Sequence, residues 1–101
     1  MAKGNLPENM LKQFQQMQSE MLKAQSELAK ETVVGTAGGG TVRITLSGDQ
    51  RCLGVEIDPG AIQDGGVEML QDMVLAACND ALEKSRKLAL DRLGPLSANF
   101  G

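Results

Sequence analysis

Four glycines fall within six residues, Gly35, Gly38, Gly39 and Gly40, inside the stretch VGTAGGGTVRITLSG. Such a cluster can hold a phosphate on bare backbone amides when a strand precedes it and a helix N-terminus follows. Here the following residues alternate instead. Val42, Ile44 and Leu46 are interleaved with Arg43, Thr45 and Ser47, the period-two pattern of a half-buried strand. No Lys closes the cluster, because Gly40 leads into Thr41-Val42. The glycines therefore predict a turn between two strands, where glycine accepts positive φ, and not a nucleotide site.

Other reactive constellations are equally thin. His and Tyr are absent, so proton transfer would fall to carboxylates, Lys and Cys. Asp58 precedes Pro59, where it suits a cap, and Asn79-Asp80 lies in a helical pattern. Neither joins a nucleophile, a base and an orienting group. Cys52 and Cys78 are far apart, which excludes a Cys/His zinc site and argues against a disulfide framework. They are expected to be reduced, mostly buried thiols in a cytoplasmic protein. No enzymatic activity, cofactor or metal is expected.

Charge carries more information. Ten Lys and Arg stand against thirteen Asp and Glu, a net charge of −3, unlike a strongly basic nucleic-acid binder. The distribution is uneven. Residues 59–83 hold Asp64, Glu68, Asp72, Asp80 and Glu83 and no base, whereas residues 84–101 hold Lys84, Arg86, Lys87 and Arg92 against Asp91 alone. A local positive field matters more to a polyanion than the sum does.

The elements that must position these groups follow from periodicity. The 101 residues suit one domain. No signal peptide or run of about 18 apolar residues is present, so no membrane role is expected. Residues 1–6 read as a flexible N-terminus. Met10, Phe14, Met17, Met21, Ala24 and Leu28 then step by 4, 3, 4, 3 and 4, predicting a helix over 7–31 with a heptad seam. Thr32-Val33-Val34 reads as a short strand, Val42–Ser47 as a second, and Leu53, Val55 and Ile57 alternating with Cys52, Gly54 and Glu56 as a third. From about Gly66, Val67, Leu70, Val74, Ala77 and Ala81 restore the helical period to Leu93, where Gly94-Pro95 predicts the end. The expected domain spans 7–93, with a short tail at 94–101. The fold class is α+β, in the order α-β-β-β-α, with two long helices and a three-stranded antiparallel meander.

The lengths do not match. A helix of about 25 residues spans roughly 37 Å, and a seven-residue strand only about 23 Å. The apolar stripe of each helix therefore continues past the sheet. Laying the two helices antiparallel makes a projecting arm, and pairing two copies in a homodimer covers what remains. The alternative is a monomer whose helices lie flat on the sheet.

The residues also carry a resemblance. LKQFQQMQSEMLKAQSEL, VVGTAGGGTVRITLSGDQRCLGVEIDP and LQDMVLAACNDAL, in that order and with matching gaps, resemble the YbaB/EbfC family of bacterial nucleoid-associated proteins over about residues 8–90. The resemblance implies an intertwined, tweezer-shaped homodimer that binds duplex DNA through its helical arms, without enzymatic activity, at the nucleoid. It places DNA contacts on Lys12, Lys23 and Lys30 of the first helix, with Gln13, Gln16 and Gln18 adding hydrogen bonds, and on Lys84, Arg86 and Lys87 of the last. Pairs such as Lys23 with Glu27, or Lys87 with Glu83, would instead make these ordinary helix-surface residues. The acidic block at 64–83 supports a second reading, a protein-interaction module acting in DNA repair or recombination.

Overall fold

The structure, a computed structural model, describes residues 7–98. The expected flexible segment 1–6 and the last three residues of the expected tail lie outside the described residues. The order is α1 (Glu8–Lys30), β1 (Thr32–Ala37), β2 (Val42–Ser47), β3 (Cys52–Ile57) and α2 (Pro59–Ala98). This is the α-β-β-β-α pattern that the periodicity predicts.

Pro7 opens α1 from an extended conformation, and its carbonyl accepts the Leu11 N–H at 3.0 Å. Glu8 in the first turn and Lys30 in the last complement the helix dipole. The helix ends as Glu31 turns extended, and the β-branched Thr32-Val33-Val34 carries the chain into β1.

The sheet has the order β1-β2-β3, antiparallel throughout. Val42, Ile44 and Leu46 of the central strand are buried and pack against Ala77 and Ala81 of α2. Each of the three contributes about 1.5–3 kcal/mol by leaving water. The positive φ values at Gly38, Gly39 and Gly40 confirm the strand-to-strand turn.

Gly35 is different. It lies inside β1, not in the turn, and pairs with Ile44. A Cβ there would collide with the α2 backbone at the Ala77 carbonyl and the Ala81 amide. The residue is glycine because α2 crosses the strand at backbone contact.

Three further boundaries differ from the periodicity. Helical structure begins at Pro59, with the Asp58 carboxylate accepting the Gly60 N–H at 3.1 Å, so Asp58 does cap it. Gly66 interrupts that course (φ 70°, ψ −169°), and the long helix runs on from there. It passes Gly94-Pro95 and reaches Ala98 instead of stopping at Leu93. Pro95 forfeits one backbone donor, but α1 lies alongside: Gln25 and Leu28 share a hollow with Ala89 and Leu93. In β3, an irregularity opposite Thr45 and Leu46 sets Cys52 against Leu46 and leaves Leu53 out of register. Strict alternation across 52–57 therefore fails at its first residue pair. Cys52 is exposed and not buried as expected, because nothing among the described residues covers this edge strand.

Three contacts root the arm. Leu28 is buried beneath Gly48, whose N–H bonds the Glu31 carbonyl at 2.9 Å. Buried Ser85 lies 3.1 Å and 3.2 Å from the carbonyl oxygens of Ser47 and Gly48, able to donate to either. Arg92 grips Glu31 with Nε–Oε2 at 2.9 Å and Nη2–Oε1 at 2.6 Å. The radius of gyration is 20.5 Å and the longest extent 75 Å, against about 13 Å for a compact domain of this length. The helices project and do not lie flat.

Gly35→Ala is expected to cost about 1–3 kcal/mol, because the methyl group overpacks a backbone contact. Gly54→Ala, where a Cβ meets nothing within 4 Å, should change stability by less than about 0.5 kcal/mol. Urea denaturation of both variants measures the contrast.

Candidate nucleic-acid interface

Turning 100° per residue along α1 places Lys12, Lys23 and Lys30 within about 20° of one another. They stand opposite the seam of Met10, Phe14, Met17, Met21 and Leu28. Axial gaps of about 16 Å and about 10 Å separate them. Gln16, Ser19 and Ser26 fill the intervals on the same side, and all six side chains are exposed. Among the described residues none of the three lysines enters an ion pair, and the Lys23–Glu27 pair does not form. Gln13 and Gln18 are exposed too, but turned further from this line.

The last-helix cluster is divided. The Lys84 ammonium donates to the Val34 carbonyl at 3.0 Å and pairs with Asp80 at 3.2 Å. Asp80 also accepts the Thr36 N–H at 3.0 Å. That backbone bond first, then Lys84, holds the Asp80 carboxyl below its ordinary pKa. Lys84 is thus engaged with β1. Lys87 faces Glu83 at 3.9 Å, the i,i+4 pair anticipated, with both side chains largely in solvent. Arg86 is exposed and outside any ion pair found among the described residues.

Arg92, counted in the basic cluster by sequence, is consumed by Glu31. The hydrogen bond from Arg92 leads in lowering the Glu31 pKa, and Glu31 in turn raises that of Arg92. Arg43 pairs with Glu56 across the strands at 2.8 Å. Sequence reasoning passed over Arg51, an exposed cation at the start of β3 with no ion pair among the described residues. Its place in a turn hid it. The Asp80–Lys84 spacing of four was the available sign that Lys84 is not free.

Asp58 caps a helix and Asp80 binds a strand, so the carboxylates singled out are occupied structurally. Among the described residues no three His, Cys, Asp or Glu side chains gather to hold a metal. Nor is any described helix long and apolar enough to cross a membrane. What α1 presents is a row of exposed ammonium groups with no ion pair among the described residues.

Comparison with known proteins bears on the chain as a whole. Residues 3–100 match the YbaB/EbfC DNA-binding family. A nucleoid-associated protein of Pelotomaculum thermopropionicum is 44% identical over 97 residues, covering 96% of this chain and 91% of that one. One from Rhodococcus opacus is 42% identical, covering 100% and 91%. A crystal structure of an uncharacterised Helicobacter pylori protein shares the fold with a TM-score of 0.72 at 18% identity, covering 96% of this chain and 100% of that one.

Asp80 has its pKa lowered by folding, so the stability it adds is complete above its ordinary value of 3.8 and is lost as pH falls through the lower folded value. Asp80→Asn should therefore destabilise the protein at neutral pH and narrow the stability gap between neutral and strongly acid solution. Urea midpoints at the two pH values provide the measurement.

Proposed function

The chain belongs to the YbaB/EbfC DNA-binding family, and from that premise we propose that it is a non-enzymatic, nucleoid-associated protein that binds duplex DNA as a homodimer. The lysine ridge on α1 is the observation that supports this most directly. Lys12, Lys23 and Lys30 sit on a projecting rod, opposite its apolar seam and without an ion pair among the described residues. Phosphate contacts from such residues are sequence-tolerant and salt-dependent. Arg86 and Lys87 extend the positive surface on α2. Lys84, tied to β1, adds to the local field more than it reaches outward.

Homodimer formation draws support from the arm itself. Met10, Leu11, Phe14 and Leu22 remain exposed along α1, apolar surface that a second copy would cover. Two copies would present two arms to one duplex in the cytoplasm, at the nucleoid, with effects on nucleoid organisation and gene expression. A protein-interaction role in DNA repair or recombination is the second reading. Exposed Val67 and Met69 beside Glu68 and Asp72 favour it. Pull-down before and after nuclease treatment separates the two, since partners bridged by DNA vanish with the nuclease.

Titration against duplex DNA across a salt series tests the proposal. The triple variant Lys12→Ala/Lys23→Ala/Lys30→Ala should reduce the slope of log affinity against log salt by about 3 per engaged arm. Lys84→Ala should leave the slope nearly unchanged. Absence of binding by the wild type at low salt would sink the proposal.

A further inference from the structure

The two helices run antiparallel past the sheet, α1 toward it and α2 away from it. Gln25 and Leu28 of α1 share a hollow with Ala89 and Leu93 of α2. Each step outward along α2 is matched by an equal step back along α1. Carried outward from Leu28 beside Ala89 and Gln25 beside Leu93, position 100 comes opposite Met17 and Gln18, to within a turn. The direction agrees as well as the level. A helix carried two residues past Ala98, where α2 ends, puts position 100 within about 20° of both Ala89 and Leu93. That is the side of α2 that meets α1.

At that level α1 carries a second hollow. Phe14, Met17, Gln18, Met21, Leu22 and Gln25 line it. Met21 and Met17 stand seven and eleven residues before Leu28, within about 20° of it on the helix. The hollow therefore lies on the side of α1 that α2 covers at the root. Yet Phe14 is 52% and Leu22 66% exposed. Two methionines beside a phenyl ring form a surface that adapts to an aromatic guest and favours contact of sulfur with its edge. Besides Phe14 the chain has one aromatic residue, Phe100. Two peptide units separate it from Ala98, a reach of about 7 Å at most.

We propose that Phe100 occupies this hollow in its own chain. Its ring packs among Phe14, Met17 and Met21, with the two phenyl groups forming an aromatic pair. The end of α2 is thereby tied to the outer half of α1. Leu28 and Glu31 fasten the arm at its root, and Phe100 limits how far the part beyond them swings. At Phe14 and Leu22 the covering group is then the chain's own tail. Met10 lies about 10 Å further out than Met17, and it and Leu11 are left to a second copy. The contact lies within one chain and stands whether or not the protein binds DNA.

Hydrogen exchange of the full chain carrying Phe100→Ala is the test. Backbone amides from Phe14 to Leu22 should exchange faster by about tenfold or more, while those of β2 keep their wild-type rates. Unchanged exchange over 14–22 overturns the proposal. A cross-link that retains the ring supplies the second measurement: Gln18→Cys/Gly101→Cys in a Cys52→Ser/Cys78→Ala background. Mild oxidation should close a disulfide within one chain, which runs at monomer mass on a denaturing gel. Adding Phe100→Ala should slow its formation by about tenfold. No link, or a rate indifferent to the ring, overturns the proposal. A link formed mainly between two chains also overturns it and makes a second copy the occupant.

Discussion

A single close crossing sets the architecture. The α2 backbone at Ala77 and Ala81 rests directly on Gly35 of β1. Because no side chain separates them there, α2 lies over β1 and β2 and does not extend to β3. That one offset gives the buried cluster of Val42, Ile44 and Leu46 its roof and leaves the third strand without one. It also brings Asp80 and Lys84 down to the β1 edge, and sets Ser85 against the β2–β3 turn. A bulkier residue at position 35 would lift the helix and loosen all of these at once.

The ionic groups fall into two populations with different tasks. Arg92, Lys84 and Arg43 meet carboxylates or backbone within the fold, where they fix the arm root, the β1 edge and the strand register. Lys12, Lys23, Lys30 and Arg86 meet none among the described residues. A net charge of −3 is therefore a poor guide to how the surface behaves toward a polyanion. Several of the acids are already spent on structural cations or on backbone donors, and most of the uncommitted positive groups, Arg51 apart, stand on the two helices.

Much of this was legible in the sequence because it depends on local rules. The steps of three and four from Met10 to Leu28 mark α1 to within a residue at each end, and alternation in Val42–Ser47 marks the buried central strand. Features that depend on what approaches from elsewhere were hidden. Gly35 looks like part of a turn until α2 is seen to lie upon it. Lys84 looks like its neighbours until the Val34 carbonyl is found at its tip. Gly94-Pro95 looks like a stop until α1 is found alongside. The displaced register at Leu53 likewise arises from pairing with β2, which no pattern within β3 alone reveals.

The anchoring of α1 has a mechanical consequence. The helix is held at Leu28 and Glu31, and roughly 28 Å of it lies between Glu31 and Lys12. A rod clamped at one end is a lever. A tilt of about five degrees at the root would carry the far lysine through more than about 2 Å, while Lys30 scarcely moves. The far half of the rod can thus shift at little cost to the packed body, with the guanidinium–carboxylate fork at Glu31 serving as its pivot.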